Sequence, residues 1–319
     1  MYNKKIFSIA VIMPVYNGET TIIKTLESLS RQTLKPDEII IINDGSNDRS
    51  LEILKNSQLD FKFKLIVHDK CWGLAKTYNE GIRCSSADLI VTMHQDIILI
   101  DNDCLKILIA PFIDNAVVAS SHIVAHPMDV WKKYNFWQKC FFSRLAGKDF
   151  SGIDGKFDCF RKESLKKIGL FDEVHFRSAG EDGDIVFRLK KIGRIIGTQA
   201  KIIHLHKISQ NFSPSDIIQK QKQYSEAQGT LFSLGRIQEI RLVLRTFFRE
   251  ILIILLFIPG VQMISLLMIL IYSFYYSKTV FFNEYKDKRI FALPFLNIYL
   301  LLVSFIYSTK GIIYGKQQI

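Results

Sequence analysis

The feature that most constrains the fold is an alternation of apolar runs with helical segments over residues 8–93. The apolar runs are rich in β-formers and each ends at polar or turn residues, whereas the segments between them have helical spacing. Continuous apolar strands that alternate with helices are typical of a parallel sheet covered on both faces. The pattern predicts an α/β domain with strands at 8–13, 38–42, 63–67 and 89–93, and helices at 20–31, 50–56 and 74–83.

Polar residues follow three of the predicted strands. In open α/β sheets, ligands bind beyond the carboxyl ends of the strands. We therefore expect three loops to meet at one edge of the sheet, namely Pro14-Val15-Tyr16, Asn43-Asp44-Gly45 and His94-Gln95-Asp96. The chain contains neither GxGxxG nor GxxxxGK[ST], so the sequence indicates neither a dinucleotide-binding fold nor a P-loop.

The C-terminal third has a different character. Residues 251–277 contain no charged residue and residues 290–308 are nearly as apolar. Because about 20 apolar residues cross a bilayer core, we expect two membrane helices, either transmembrane or re-entrant, with Pro259-Gly260 interrupting the first. A pair of buried core helices is the alternative. The sequence predicts a catalytic domain at 1–215, a helical region at 216–250 and a membrane-associated segment at 251–319.

The helical region at 216–250 is basic. Arg241, Arg245 and Arg249 recur at every fourth position, with apolar residues on the other side. This pattern predicts an amphipathic helix that lies on an anionic membrane surface, although a solvated helix face gives the same pattern. Positive residues flank both apolar segments, so the positive-inside rule leaves the orientation weakly determined.

The net charge of +11 favours an anionic partner. The basic residues of the chain are scattered or precede apolar segments, which argues against nucleic acid as that partner. The five cysteines are odd in number and form no CxxC pair, which indicates reduced thiols rather than disulfides or a zinc site. We expect a protein of the cell membrane whose catalytic domain is cytoplasmic.

Three stretches resemble the family 2 glycosyltransferases. They begin with SIAVIMPVYNG at Ser8, CWGLAKTYNEG at Cys71 and GKFDCFRK at Gly155, and the third contains AGEDGDIVFRL. The resemblance covers about residues 6–210 and places several motifs in the family's order. It implies a GT-A fold, which is Rossmann-like and mainly parallel with helices on both faces, followed here by the α-helical membrane-associated segment.

The resemblance implies transfer of a sugar from a nucleotide-diphosphate donor to an acceptor hydroxyl, with inversion. Such chemistry needs Mg²⁺ or Mn²⁺ for the diphosphate and a general base for the hydroxyl. We expect a UDP- or dTDP-sugar donor and a lipid-linked saccharide acceptor in the synthesis of a cell-surface polysaccharide or glycolipid. The alternatives are a non-catalytic nucleotide-sugar-binding or scaffold protein, a soluble glycosyltransferase, or a processive synthase, although the Trp of the QxxRW signature is missing after Gln238.

The metal motif of the family, DxD, falls at His94-Gln95-Asp96. The resemblance makes Asp96 the metal ligand and leaves His94, in place of the first carboxylate, to the nucleotide. His204 is a further candidate metal ligand, with a structural histidine as the alternative. Because hard cations prefer oxygen, the histidine predicts weak metal binding or a preference for Mn²⁺.

The family's acidic pair falls at Glu181 and Asp182. The resemblance makes Asp182 the general base, and Glu181 beside it would keep the pKa of Asp182 from falling. Acids that complement a helix dipole are the alternative. Arg188 is expected to orient this helix or to pair with the acids.

The resemblance also implies a set of residues that bind the nucleotide-sugar. They lie in the loops after the first, second and fourth strands and at the start of the third helix, and comprise Pro14, Val15, Tyr16, Glu19, Asp44, Gly73, Lys76, Asn79, His94 and Gln95. The family often has Arg immediately before Asn79, near the phosphates. Tyr78 stands there in this chain, so neutralisation of the phosphates falls to Lys76 or to a residue elsewhere.

Overall fold

The computed structural model describes residues 7–176, 179–206 and 211–318, which form two compact units that interleave along the chain. The first unit comprises 7–125, 149–173 and 181–206, and the second comprises 126–148, 174–176, 179–180 and 211–318. The functional boundaries expected at 215 and 250 stay predictions.

The first unit is built on one twisted sheet, in which the described residues form nine strands. The strands are β1 (Ile9–Val15), β2 (Glu38–Asn43), β3 (Lys64–Val67), β4 (Leu89–Met93), β5 (Ile97–Leu99), β6 (Val117–His126), β7 (Lys148–Ser151), β8 (Phe157–Arg161) and β9 (Arg194–His204). Their order is β3-β2-β1-β4-β8-β6-β9-β5, with β7 paired to β6.

The first four strands pair in parallel, as the sequence predicts, and lie within two residues of the predicted bounds. The later strands make the sheet mixed. Strand β8 is antiparallel to both β4 and β6, and β5 is antiparallel to β9, whereas β6 and β9 are parallel. Hence the fold is the mainly parallel α/β class expected, extended by antiparallel strands that carry later parts of the site.

Helices of the first unit cover both faces of the sheet. They are α1 (Ile22–Ser30), α2 (Ser50–Asn56), α3 (Leu74–Cys84), α4 (Cys104–Ile109), α7 (Lys162–Lys167) and α8 (Glu181–Lys190). Successive strand residues point to opposite faces. Accordingly Val11 packs in one core with Leu26 of α1, whereas Ile12 packs in the other with Tyr78 of α3 and Leu189 of α8. Both cores are fully buried, which explains the unbroken apolar runs of the sequence.

The second unit is mostly helical. Its helices are α5 (Met128–Lys132), α6 (Phe136–Phe141), α9 (Pro214–Ser233), α10 (Ile240–Thr246), α11 (Phe248–Leu255), α12 (Gln262–Tyr275), α13 (Lys278–Asn283) and α14 (Leu293–Tyr314). An aromatic cluster on α5 and α6, including Trp131 and Phe136, packs against Leu293 and Leu300 of α14.

The predicted basic amphipathic helix is interrupted in the structure. Phe247 has φ −100° and ψ 19°, which ends α10 and begins α11, so Arg249 lies on a different helix from Arg241 and Arg245. Phe247 is buried, and its ring packs edge-on against Phe232 at 5.2 Å between centroids. A tertiary contact therefore breaks a helix whose sequence periodicity is continuous.

The apolar segment at 251–277 forms a helical hairpin. Helices α11 and α12 are joined by a turn at residues 256–261 that contains Pro259 and Gly260. Ser265 of α12 donates a hydrogen bond of 2.5 Å to the carbonyl of Leu252 on α11, so the two helices pack side by side. Gly260 has φ +90°, a backbone conformation that favours glycine, which explains why the chain reverses here.

One helix in the described part of the chain, Lys288–Tyr314 including its first turn, is long and apolar enough to cross a membrane. In its most apolar 18-residue window, 39% is buried inside the protein. Helix α14, which forms most of this segment, packs along α9 with backbone contact: a Cβ at Gly229 would lie 2.0 Å from the carbonyl oxygen of Ser308, and one at Gly311 2.1 Å from that of Glu226. Small residues allow this close approach, as they do between membrane helices.

Candidate active site

The loops after β1 and β4 are joined directly at the carboxyl edge of the sheet. The backbone N–H of Tyr16 donates to Oε1 of Gln95, and Nε2 of Gln95 donates to the carbonyl of Tyr16, each at 2.8 Å. The hydroxyl of Thr25 on α1 donates to the carbonyl of Gln95 at 2.7 Å. The N–H of Asp44 in the next loop donates to the carbonyl of Val15 at 2.7 Å. The parallel strands thus bring the three loops together, as their order in the sheet requires.

Three candidate metal ligands meet at this edge. Nε2 of His204 lies 3.0 Å from Oδ2 of Asp96, and Nδ1 of His94 lies 3.9 Å from Oδ1 of Asp96. One ligand atom from each of the three residues lies within 4.8 Å of those of the other two. The sequence assigned Asp96 and His204 to a metal and His94 to the nucleotide, and the structure brings all three into one cluster, although their role as ligands stays a prediction.

The chemistry of the cluster fits a divalent cation. Burial lowers the pKa of His94 to about 4, so its imidazole is neutral at physiological pH and keeps a lone pair for a metal. Burial opposes ionisation of Asp96, yet the charge and hydrogen bond of His204 hold the pKa of Asp96 well below its usual range. Oδ1 of Asp96 and Nε2 of His94 are buried and have no hydrogen-bond partner among the described residues. A mixed imidazole and carboxylate set suits Mn²⁺ better than Mg²⁺.

The acidic pair begins α8. Burial, and then the charge of Asp182, raise the pKa of Glu181 to about 7. Burial also raises the pKa of Asp182, although Oδ1 of Asp182 accepts a hydrogen bond of 2.7 Å from the N–H of Gly183. Burial is therefore the chief cause of the raised pKa of Asp182, whereas the sequence led us to expect this effect from the neighbouring Glu181. A carboxyl group whose pKa is raised toward neutrality is suited to accept a proton.

Arg188 does not pair with the two acids that begin α8. It forms an ion pair with Asp184 one turn earlier and donates from Nη1 to the carbonyls of Ile168 and Leu170, at 2.6 and 2.7 Å. These contacts tie α8 to the turn after α7. Arg188 therefore orients the helix, which is one of the two roles expected of it.

Tyr78 is a buried hydroxyl that several carboxylates of the first unit influence. Tyr78 of α3 is fully buried, and burial raises its pKa well above the usual value. Negative charges on Asp158, Glu181, Asp154 and Asp96 raise the same pKa further. Glu181 of α8 and Asp96 of the candidate metal cluster therefore both influence Tyr78.

Asp44 organises the loop that follows β3. Its Oδ1 lies 2.7 Å from Nδ1 of His68 and accepts the N–H of Trp72 at 2.8 Å, while its Oδ2 accepts the N–H of Gly73 at 3.0 Å and the thiol of Cys71 at 3.3 Å. Although burial opposes it, these hydrogen bonds lower the pKa of Asp44. The carboxylate is largely used inside the protein, and its predicted contact with the nucleobase stays a prediction.

Asn79 and Glu19 also make internal contacts. Nδ2 of Asn79 donates to the carbonyl of Phe171 at 2.9 Å and to Oε1 of Glu173 at 2.6 Å, and its Oδ1 accepts the N–H of Phe171 at 3.0 Å. Oε2 of Glu19 accepts the N–H of Arg49 at 3.2 Å, at the start of α2. Both side chains hold loops in place, and their predicted contacts with the donor stay predictions.

The remaining predicted nucleotide-sugar residues divide by exposure. Pro14 and Val15 are buried within β1, whereas the Tyr16 side chain is 45% exposed and open to a ligand. Lys76 is exposed, and its ammonium lies 4.2 Å from the centre of the Trp72 ring. Asn43, which the sequence places in the loop after the second strand without a role of its own, has a buried Oδ1 with no hydrogen-bond partner among the described residues.

A buried polar network near β8 was also overlooked. His122 is fully buried, with Nδ1 3.1 Å from Oδ1 of Asp158 and Nε2 3.4 Å from Oδ1 of Asp154. Although burial lowers it, the two carboxylates raise the pKa of His122 overall. Different ring nitrogens face the two acids, so the imidazole bridges them. In the sequence, His122 is 32 positions from Asp154 and 36 from Asp158, so no local pattern reveals their contact.

These features define a nucleotide-sugar-dependent glycosyltransferase fold of the GT-A class. Residues 10–169 match the model of glycosyl transferase family 2, which is half of the chain, and the protein belongs to this family of glycosyltransferases. The fold also resembles a mannosyltransferase from Pyrobaculum calidifontis solved with GDP-Man and Mn²⁺. That similarity has a TM-score of 0.62 at 15% identity and covers 98% of this chain and 88% of the other.

Two further kinds of relative are similar over part of the chain. An O-antigen chain rhamnosyltransferase of Salmonella typhimurium is 25% identical over 66% of this chain and 69% of its own length. A poly-β-1,6-N-acetyl-D-glucosamine synthase of Staphylococcus epidermidis is 27% identical over 53% of this chain and 43% of its own length. Among solved structures, glucosyl-3-phosphoglycerate synthase of Mycobacterium tuberculosis, with Mn²⁺ and UDP, has a TM-score of 0.50 at 16% identity and covers 72% of this chain and 78% of the other.

The raised pKa of Glu181 predicts a pH-dependent cost in stability. Between its ordinary pKa of 4.5 and about 7, the folded protein keeps a proton that the unfolded chain releases. Compared with high pH, where Glu181 is ionised in both states, the retained proton stabilises the folded protein. This stabilisation is complete below about pH 4.5 and is lost as the pH rises through about 7. We expect Glu181→Gln to raise the melting temperature more at pH 8 than at pH 5, measured by differential scanning fluorimetry in mild detergent.

Glu163 provides the matched control for this experiment, because it is an exposed acid in the first turn of α7. Glu163→Gln is expected to leave the melting temperature nearly unchanged at both pH values. An equal effect of Glu181→Gln at pH 5 and pH 8 would show that Glu181 does not carry the raised pKa.

Proposed function

We propose that this protein is an inverting glycosyltransferase that moves one sugar from a nucleotide-diphosphate donor to a lipid-linked saccharide. The product would enter a cell-surface polysaccharide or glycolipid. The observation that carries the proposal is the cluster of Asp96, His204 and His94 at the carboxyl edge of the sheet, in the unit that also carries the acids of α8. O-antigen and poly-N-acetylglucosamine enzymes among the relatives support the polysaccharide context.

Asp96, His204 and His94 would hold a divalent cation, for which Mn²⁺ in the related solved structures is further support. Bound there, the cation supplies charge neutralisation to the donor diphosphate. The ionised Asp96 provides the oxygen ligand that such cations prefer, and the neutral His94 adds a nitrogen. Mn²⁺ is the cation we propose first, with Mg²⁺ as the alternative.

Asp182 would act as the general base. Its carboxylate takes the proton of the acceptor hydroxyl while the hydroxyl oxygen forms a bond to the anomeric carbon of the donor sugar. The bond from that carbon to the diphosphate oxygen breaks, and the diphosphate leaves with the electron pair. Attack from the side opposite the leaving group inverts the anomeric centre. The raised pKa of Asp182 favours proton transfer.

The donor is proposed to be a UDP- or dTDP-sugar. UDP in the related glucosyl-3-phosphoglycerate synthase supports a uridine nucleotide, whereas GDP-Man in the mannosyltransferase makes GDP-sugars the competing class. Asn43 and Tyr16, at the ends of the two central strands, offer an unpartnered buried oxygen and an exposed ring to a nucleobase.

Purified protein incubated with UDP-, dTDP- and GDP-sugars, Mn²⁺ and bacterial membrane lipid is expected to release nucleoside diphosphate. Asp182→Asn should lower the rate by roughly 10²-fold or more, because general-base catalysis contributes about that amount. Asp96→Asn should lower both the rate and the response to Mn²⁺. Release is measured by a coupled diphosphate assay, and the lipid product by mass spectrometry.

Asp149→Asn serves as the control, because this exposed carboxylate pairs with Lys201 in the same unit. The variant is expected to keep wild-type activity. Nucleotide binding without release of diphosphate, unchanged by Asp182→Asn, would favour the non-catalytic alternative. Products that grow by many sugars per binding event would favour a processive synthase.

We also propose how the second unit meets the membrane. Helix α14 is long enough to cross a bilayer, but it packs along α9, which carries Asp216, Lys220, Lys222 and Glu226. Lys310 of α14 pairs with Glu226 at 3.2 Å, and Ser304 hydrogen-bonds Ser225 at 3.1 Å. Charged residues are costly in hydrocarbon. We infer that α14 stays with α9 at the interface.

The hairpin of α11 and α12 is the element suited to enter the lipid. Phe257 in its turn is 83% exposed, and Met263 and Ile264 at the start of α12 are also exposed. At the opposite end of the hairpin, Arg245 and Lys278 are exposed and basic. Exposed apolar residues at the turn, with basic residues at the opposite end, fit insertion of the turn into one leaflet that contains anionic lipids. The five free cysteines suit a cytoplasmic location for the catalytic unit.

Flotation with phosphatidylglycerol-containing vesicles tests this inference. The double variant Phe257→Glu, Met263→Glu is expected to lower vesicle binding by about tenfold or more. Two apolar side chains that enter the lipid contribute several kcal/mol to binding, and the variant loses that contribution. High salt should weaken binding of the wild type by screening its basic residues.

Ile113→Glu provides the matched control, because Ile113 is an equally exposed apolar residue of the first unit. It should float like the wild type. Equal flotation of the double variant, or labelling of Ile313→Cys from the far side of a sealed vesicle, would contradict insertion into one leaflet.

A further inference from the structure

The position before Asn79 carries no cation in this chain, because Tyr78 occupies it. The other candidate, Lys76, is exposed and lies over the Trp72 ring at 4.2 Å. The diphosphate gains a negative charge as it leaves the sugar, and a single divalent cation at Asp96 would leave that added charge uncompensated.

The loop before β8 lies against the candidate metal cluster. The hydroxyl of Tyr78 donates to the carbonyl of Gly155 at 2.9 Å, and the N–H of His94 donates to the carbonyl of Lys156 at 2.9 Å. A Cβ at Gly155 would lie 3.6 Å from Nε2 of His94. Tyr78, which stands where the family often has an arginine, thus binds the peptide group that links Gly155 to Lys156.

The loop is anchored from its other side by the buried network. Oδ2 of Asp158 accepts the N–H groups of Asp154 at 3.0 Å and Gly155 at 2.7 Å, while its Oδ1 contacts His122. Asp158 and His122 are fully buried, so these contacts are shielded from water. The backbone of residues 154–156 is therefore fixed by four hydrogen bonds to Tyr78, His94 and Asp158.

Lys156 presents its ammonium in this setting. Its Nζ lies 2.6 Å from Oδ2 of Asp154, and 20% of the side chain is exposed. Although burial disfavours the charged form, the carboxylates of Asp154, Asp158 and Asp182 raise the pKa of Lys156. The ammonium is held by an ion pair, and the backbone of Lys156 is hydrogen-bonded to that of His94.

We propose that Lys156 is a catalytic residue that binds the diphosphate of the donor and stabilises it as the leaving group. This inference rests on the proposed function. As the bond from the anomeric carbon to the β-phosphate oxygen breaks, the electron pair remains on that oxygen, and the ammonium offsets the added negative charge. Lys156 thereby supplies, from the loop before β8, the cation that α3 lacks.

Equilibrium binding of UDP, dTDP and GDP, each compared with its free nucleoside, tests the proposal. Isothermal titration calorimetry is performed with and without Mn²⁺. Lys156→Met is expected to weaken binding of the tightest diphosphate by about tenfold or more, because charge-assisted contacts to phosphate are strong. Affinity for the corresponding nucleoside should remain unchanged, since it has no phosphate. Lys156→Arg should keep diphosphate binding within about threefold of the wild type.

Lys201→Met is the matched control, because Lys201 forms a similar ion pair with Asp149 but on an exposed surface. It should bind diphosphate like the wild type. If Lys156→Met does not fold, Lys156→Gln, which can still donate a hydrogen bond to Asp154, is measured in the same way and should show the same selective loss.

The outcomes separate this inference from the function on which it rests. Wild-type protein that binds none of the three diphosphates would overturn the proposed function. Wild-type binding with an unchanged Lys156→Met, or an equal loss of nucleoside and diphosphate affinity, would overturn only the role of Lys156. The second result would assign Lys156 to the structure of the loop.

Discussion

The antiparallel pairing of β5 with β9 is the interaction on which the candidate active site depends. It sets Ile97 opposite His204, and Ile97 and Leu99 are buried against the core. Asp96 immediately precedes this pairing, so its carboxylate meets the His204 imidazole at 3.0 Å even though 108 positions separate them. The N–H of Leu205 also donates to the carbonyl of Asp96. Apolar burial on two strands therefore positions a polar cluster that could not assemble by itself.

Environment then gives chemically similar side chains different tasks. Asp96 is held ionised by its histidine partners, whereas burial raises the pKa of Glu181 and Asp182. Carboxyl groups whose pKa values are driven apart in this way are suited to metal binding in one case and proton transfer in the other. Asp44 and Asn79, by contrast, use their polar atoms on neighbouring backbone. A residue within a family motif can thus shape a site without an open contact to the ligand.

Much of the fold followed from the sequence because its signals are local. The apolar runs gave the parallel strands β1 to β4, and the polar residues after them gave the edge that carries His94 and Asp96. What the sequence did not indicate depends on distant contacts. His122 meets Asp158 across two strands, Lys156 is placed by Tyr78 and His94, and a buried Phe247 breaks a helix with continuous periodicity. Pro259-Gly260 marked an interruption, but only packing of α11 on α12 makes it a hairpin.

The central claim is that the imidazole and carboxylate groups of His94, Asp96 and His204 bind one divalent cation. Electron–nuclear double resonance of Mn²⁺ bound to the protein in the presence of UDP tests it most directly. The account predicts hyperfine coupling to at least one directly bound imidazole nitrogen, diminished in His204→Ala, and loss of bound Mn²⁺ in Asp96→Asn. Bound Mn²⁺ that shows no nitrogen coupling and persists in Asp96→Asn would contradict it.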